Sequence, residues 1–173
     1  NIVNTGFIIG SEGGIVVDSG PSLHFGEQLL QAIAAITPLP IVLVLNTHHH
    51  PDHFLGNQAF PVSTLAALAK TRRAIESEGG TFLDNMYRLC GAWMSDTTTV
   101  LPERTLEAGM LSIGGRRLQL FVLSGHTEAD LAVLQRQCLL AENLAAPALQ
   151  GRNVGFVVEN QGVDLVGRGE DAG

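Results

Sequence analysis

The apolar periodicity of this chain predicts an α/β fold, and three stretches carry that prediction. Ile41 to Leu45 is apolar at every position, the pattern of a strand covered on both faces of a sheet. Phe25, Leu29, Ala32, Ile33 and Ile36 recur at the spacing of one helix face. Arg116 to Leu123 alternates, with Leu118, Leu120 and Val122 on one side. With 173 residues, 45% of them hydrophobic and 16% charged, the chain is one domain's worth of sequence, residues 1–173, able to bury a sizeable core.

In order, Thr5 to Ile9 and Ile15 to Asp18 read as strands joined by a Gly-rich turn, Gly10 to Gly14. Ser22 can cap the helix that runs to about Ile36, where Pro38 ends it. His24 lies early in that helix as a surface residue. After the central strand, Ser63 can cap a helix in which Leu65, Leu68, Arg72 and Ile75 stack and which ends at Gly79-Gly80. A second helix from about Thr81 puts Phe82, Met86, Leu89, Cys90 and Trp93 on one stripe, which makes Cys90 a buried, inert thiol. Thr105 to Ala108 and Met110 to Ile113 are short strand candidates, and Gly114-Gly115 makes a tight turn into the alternating strand. Leu131 to Leu134 and Cys138 to Ala141 form a further hairpin around Gln135-Arg136-Gln137.

The charge balance narrows the function. The formal net charge is −7, and no basic cluster exceeds Arg72-Arg73 and Arg116-Arg117, so nucleic acid is not an expected partner. No apolar run reaches the length of a membrane span, so no membrane is expected either. No signal peptide is visible, but the chain starts abruptly beside a strand, as it would with an upstream leader simply absent. Cys90 and Cys138 have no metal-type spacing. Compartment, periplasmic or cytoplasmic, and oligomeric state are open; the expected partner is a small-molecule substrate.

The central strand feeds directly into Asn46-Thr-His-His-His-Pro-Asp-His53. This stretch contains His-x-His-x-Asp-His, filled by His48, His50, Asp52 and His53. Imidazoles at i and i+2 on an extended loop point the same way, so His48 and His50 can share one metal. A turn at Pro51 can aim Asp52 and His53 at a second metal beside the first. Zinc suits imidazole and carboxylate ligands, and catalytic sites keep a position open for water. The end of a buried strand is also where α/β enzymes place their chemistry. His49, between two ligands, points away by alternation and reads as packing or as support for a ligand.

These residues resemble the metallo-β-lactamase superfamily, whose signature is that pattern after a core strand. Asn4 to Gly20 looks like the family's opening hairpin with its Asp-x-Gly loop, and Ser124-Gly125-His126-Thr127 looks like its Gly-His-Thr loop. The resemblance spans residues 4–144 and leaves 145–173 as an atypical tail. It is closest in character to zinc metallohydrolases associated with quinoprotein and sulfur-oxidation systems. It implies a four-layer αβ/βα sandwich of two mixed sheets with outer helices, the second half incomplete. It also implies metal ligation by His48, His50, Asp52, His53 and His126, with His126 completing the first metal's three imidazoles. Asp18 would support the metal loop by hydrogen bonding, although a turn cap explains it as well.

Two departures temper that expectation. The family's bridging Asp falls at Asn143, and Glu142 could replace it only by a register slip that turns it to the other face. The late histidine is missing, since none follows His126. One zinc is therefore expected to bind tightly and a second weakly or not at all. The implied activity is a zinc-dependent hydrolase that attacks an ester, thioester, lactone or lactam carbonyl with a metal-bound hydroxide, Asp52 orienting it or moving its proton. The alternative is a member of the superfamily that holds metal with weak or no turnover. A di-iron redox relative would need the carboxylate that Asn143 lacks. In the tail, Asn153 to Gly169 echoes Asn4 to Gly20, as an internal repeat, a rearranged end or a chance strand-turn-strand match.

Overall fold

The computed structural model describes residues 3–135, together with the backbone of Phe156–Glu159 and Gly162–Asp164. The chain opens with the expected hairpin, β1 (Gly6–Ile9) and β2 (Gly14–Val17), paired antiparallel from Gly6↔Val17 to Ile9↔Gly14. Helix α1 (Leu23–Ile36) follows, with the Ser22 hydroxyl accepting from the Phe25 amide at 3.2 Å. Phe25, Leu29 and Ile33 are buried, whereas Ile36 lies at the helix end and is 36% exposed. Strand β3 (Ile41–Asn46) pairs parallel with β2 on one side and with the next strand on the other. Its continuous apolar run thus covers both faces, as such strands require.

The structure departs from expectation after the metal loop. Ser63 caps no helix: Val62–Thr64 is a short 3₁₀ turn, and Leu65–Leu68 is a strand, β4, buried at every position. It pairs parallel with β3 and with β5 (Arg104–Leu106), so two neighbours and both sheet faces claim its apolar side chains. The two expected helices are one, α3 (Ala69–Cys90), which passes straight through Gly79-Gly80. Gly79 is there for contact rather than termination, because a Cβ would lie 2.8 Å from Thr99 Cγ2. Beyond Gly80 there is nothing within 4 Å. Gly80→Ala should therefore gain about 1 kcal/mol of stability from helix propensity. Gly79→Ala should lose that gain and be destabilising, because the short Thr99 side chain must be displaced. Urea midpoints of the two variants check the opposite signs.

On α3, Met86 is buried and Phe82 and Cys90 pack against the same cluster, but Leu89 is 79% exposed and Leu83 takes its place. Cys90 is half-buried rather than sealed in the core.

Sheet order is β10-β9-β1-β2-β3-β4-β5, with β9 (Phe156–Glu159) and β10 (Gly162–Asp164) a hairpin added antiparallel to β1. The pairing sets Phe156 against Phe7, the residues that the echo between tail and opening hairpin aligns. A second sheet, β6 (Gly109–Ile113), β7 (Arg116–Leu123) and β8 (Asp130–Gln135), is antiparallel throughout. The tight turn before β7 is formed by Gly114 and Gly115 with φ of 60° and 76°.

Two apolar layers flank the large sheet. Phe7, Val16 and Val44 pack on Phe25, Leu29 and Ile33 of α1. Ile15, Leu43, Leu45 and Leu68 pack on Leu118, Leu120 and Leu131 of the second sheet. This is the expected two-sheet α/β sandwich, and the described residues supply its helix, sheet and sheet layers. An outer helix layer on the second sheet is not among them, and Phe121, Leu123 and Leu134 stand exposed there. Val122, expected beside Leu120 in the core, is exposed near the strand end. The hairpin partner Cys138 to Ala141, Glu142 and Asn143 lie outside the described residues. No described helix is long and apolar enough to cross a membrane.

Candidate metal centre

The site forms where two strand ends meet. β3 delivers His48 and His50, and the loop between β7 and β8 delivers His126. One ligand atom from each of the three lies within 4.8 Å of the others. The His48 ring stands edge-on to His50 and His126, with centroids 4.8 and 4.7 Å away. His50 Nδ1 and His126 Nε2 are 3.0 Å apart. Pro51 opens a single helical turn, α2 (Pro51–Phe54), whose fixed φ suits a first helical position. That turn brings Asp52 and His53 beside His48. The His53 ring centroid is 4.1 Å from His48, and its Nε2 is 3.5 Å from Asp52 Oδ2. Asp52 and His53 thus form a pair next to the three-histidine cluster.

His49 faces elsewhere, with Nε2 3.9 Å from Glu78 on α3. His24 is on the surface beside Gln28. A cavity of about 390 Å³ opens beside the cluster, lined by His49, His50, Lys70, Glu78, His126 and Thr127 among others.

Buried hydrogen bonds set the tautomers. Asp18 is 3% exposed and has φ of 64°, a conformation that Asp tolerates better than most residues. Its Oδ1 accepts from the Thr47 amide at 2.7 Å, and its Oδ2 accepts from the Thr47 hydroxyl and from His53 Nδ1, both at 2.8 Å. With the Thr47 proton given to Asp18, the hydroxyl oxygen is left to accept from His48 Nδ1, 2.9 Å away. The proton of His48 is therefore on Nδ1 and the lone pair on Nε2. That Nε2 is buried and has no partner among the described residues. A buried lone pair with no donor is costly unless something electrophilic occupies it, so the residues fit a bound metal ion.

Charge follows the same logic. Burial pushes His48 down to about 4, and the neighbouring His53, His50 and His126 add to that shift. His50 is lowered too, by burial and then by His126. Both imidazoles are thus neutral, ligand-ready, at physiological pH. For His53 burial works downward, but the hydrogen bond and charge of Asp18 outweigh it and raise its pKa.

Several participants were not singled out from sequence. Thr47 uses its amide, hydroxyl and carbonyl together, its carbonyl accepting from the Leu131 amide at 2.8 Å and so joining the two ligand loops. Beneath the loop, Asn46 Nδ2 donates to the His53 carbonyl at 3.1 Å and to Asn57 Oδ1 at 3.0 Å. Ser19 also donates to Asn57, at 2.8 Å. Asp130 accepts from the loop that carries His126. The only sequence cue for it was the Thr127-x-x-Asp130 spacing, which resembles a capping pattern. Burial works against the Asp130 charge, but hydrogen bonds from Thr127 and His126 hold its pKa below the ordinary carboxylate value.

Comparison with known proteins agrees with this architecture. A family model described as the metallo-beta-lactamase superfamily matches residues 1–133. Over 49 residues, 28% of the chain, the sequence is 41% identical to a linear primary-alkylsulfatase of Pseudomonas sp. (strain ATCC 19151), and the stretch is 9% of that protein. In fold the chain is similar to a metallo-beta-lactamase from Pontibacter korlensis, with a TM-score of 0.59 at 19% identity, covering 78% of this chain and 56% of that one. It is also similar to a double mutant of the sec-alkyl sulfatase PisA1, with a TM-score of 0.62 at 17% identity, covering 77% of this chain and 26% of that one. The chain therefore spans 9% of the length of the alkylsulfatase it matches and little more than half of the β-lactamase.

Proposed function

Because the chain belongs to the metallo-β-lactamase superfamily, we propose that it is a zinc-dependent hydrolase of a small ester, thioester, lactone or lactam. The observation that carries this reading is the buried Nε2 of His48, its tautomer set by Thr47 and Asp18, beside His50 and His126. Three imidazoles with an open fourth position are a donor set that zinc favours for catalysis. When bound, the zinc supplies a Lewis acid and a water acidic enough to ionise near pH 7. His48, His50 and His126 would hold it, and the cavity lined by His50 and His126 would receive the substrate.

Asp52 takes the proton of the attacking water and passes it to the leaving group, its carboxylate steadied 3.5 Å from His53 Nε2. His53 is in turn held by Asp18. In this reading zinc binds tightly at the three histidines, and a second equivalent binds weakly or not at all. Only Asp52 and His53 face the second position among the described residues, fewer than the usual three protein ligands.

The second reading, a superfamily member that holds metal without turnover, is favoured by the second position, beside which only the Asp52–His53 pair stands among the described residues. Elemental analysis after gel filtration and a panel of chromogenic esters, thioesters, lactones and β-lactams separate the two. Alkyl sulfate esters join the panel because of the alkylsulfatase likeness. The hydrolase reading expects zinc-dependent turnover of at least one class, abolished by chelator and restored by zinc. About one equivalent of zinc with no turnover of any class would favour the second reading.

A further inference from the structure

From Phe121, near the end of β7, through the loop to His126 every residue is exposed, His126 included. A ligand on such a segment would be expected to wander, yet one side chain grips it. Asp130, the first residue of β8, accepts from the His126 amide at 3.1 Å. It accepts also from the Thr127 amide, with both of its oxygens at 3.1 Å, and from the Thr127 hydroxyl at 2.6 Å. The same turn is closed by the Gly125 amide on the Thr127 carbonyl at 3.0 Å. One residue further on, the Leu131 amide donates to the Thr47 carbonyl, immediately before His48. The two ends of the clamp are therefore tied to the two halves of the three-histidine cluster.

We propose that Asp130 is the positioning residue for His126: it fixes the backbone of the third imidazole relative to His48 and thereby sets the metal affinity of the site. The inference rests on the reading of His126 as a metal ligand. Both Asp130 oxygens accept from donors of the loop, and Asp130 is not among the groups whose ligand atoms cluster with those of His48 and His50, so the side chain acts through His126 rather than on the metal. A charged acceptor suits this role, since hydrogen bonds to a carboxylate are roughly twice as strong as neutral ones. The far end of the loop is anchored by buried Ala129, whose carbonyl accepts from the Thr71 hydroxyl at 3.1 Å, but Ser124, Gly125 and His126 are exposed and are held from the Asp130 side.

The test is a double-mutant cycle read by cobalt titration, which reports affinity and, through the visible spectrum, the coordination of the ion. Asp130→Ala should weaken cobalt binding about 10–100-fold, the usual cost of losing a group that orients a metal ligand. The isosteric Asp130→Asn, which keeps one acceptor oxygen, should lose less and guards against misfolding of the first variant. In a His126→Ala background, Asp130→Ala should cost nothing more, because its route to the metal is gone. A further loss in that background equal to the first would overturn the proposal and make Asp130 a direct ligand or a general support. Water exchange of the His126 and Thr127 amides, measured by NMR in the metal-free protein, tests the grip alone. Exchange should speed up at both amides in Asp130→Ala, and unchanged exchange would also overturn the proposal. If the unmodified protein holds no cobalt, the zinc reading fails while the exchange measurement still decides the clamp.

Discussion

Alanine in place of His48 strips the protein of tightly held zinc. An apparent binding free energy of about 10–16 kcal/mol for a four-ligand zinc gives about 3 kcal/mol per ligand, a loss of about 100-fold or more. His48 sits at the high end of that range, because it is the one imidazole of the cluster that is buried and because its Nδ1 is already committed to Thr47. Removing the ring also leaves a void between His50, His53 and His126, whose rings now pack 4.1–4.8 Å from it. His126→Ala should show a comparable loss of zinc. His49→Ala should leave zinc content unchanged, since that ring faces Glu78 and Phe82. Elemental analysis of the three variants after gel filtration checks the contrast. Equal loss in His49→Ala and His48→Ala would mean that the loop faces the other way from the structure.

The facing of that loop was legible in the sequence, because alternation on an extended segment is a purely geometric rule. The run Ile41 to Leu45 and the capped helix after Ser22 were legible for similar reasons: their periods are unambiguous and their boundaries carry Pro, Ser or a polar cluster. Leu65 to Leu68 was not. A four-residue apolar run followed by helix-favouring residues fits a helix start and a buried parallel strand equally well. Only the pairing of Leu45 with Ala66 and of Ala67 with Thr105 decides it. Gly79-Gly80 misled for a different reason. A glycine pair usually ends a helix, but here one of them is needed so that Thr99 can approach, a contact 20 residues away in sequence.

The ligand histidines stood out by chemistry, whereas the groups that aim them did not. Thr47, Asn57 and Asp130 are ordinary polar residues whose roles exist only once strand ends from distant parts of the chain are brought together. Asp18 was anticipated only through the family resemblance; as residue chemistry alone it was equally a turn cap. The structure shows it hydrogen-bonded to both Thr47 and His53.

Replacing Asp18 should therefore damage fold and site together. Asp18→Ala leaves the Thr47 amide, the Thr47 hydroxyl and the His53 Nδ1 proton without their acceptor in a buried setting. Breaking one side of a buried charged network typically costs about 3–5 kcal/mol, and alanine at a φ of 64° adds roughly another 1 kcal/mol. For a chain of this size the two together lower Tm by roughly 8–24 °C. Asp18→Asn keeps an acceptor and a side chain suited to that backbone, so it should fold better and isolate the charge. Its signature is in pH. In the metal-free parent protein, burial lowers the His53 pKa but Asp18 more than offsets it, so the folded value lies above 6.5. His53 then binds its proton more tightly folded than unfolded, and the stability this adds is fully present below pH 6.5 and fades as pH rises through the folded pKa. His48, lowered to about 4, works in the opposite sense: unfolded chains take up its proton first, so its contribution is lost as pH falls from 6.5 towards 4. Imidazole NMR of the parent should thus show His53 protonating before His50 and His48 last. In Asp18→Asn burial is opposed only by the Asp52 charge, so the His53 pKa should fall from its parent value while His48 still titrates last. The stability gap between parent and variant should be widest below pH 6.5 and narrow above it. A His53 titration unmoved by Asp18→Asn would break the link between this carboxylate and the imidazole that steadies Asp52.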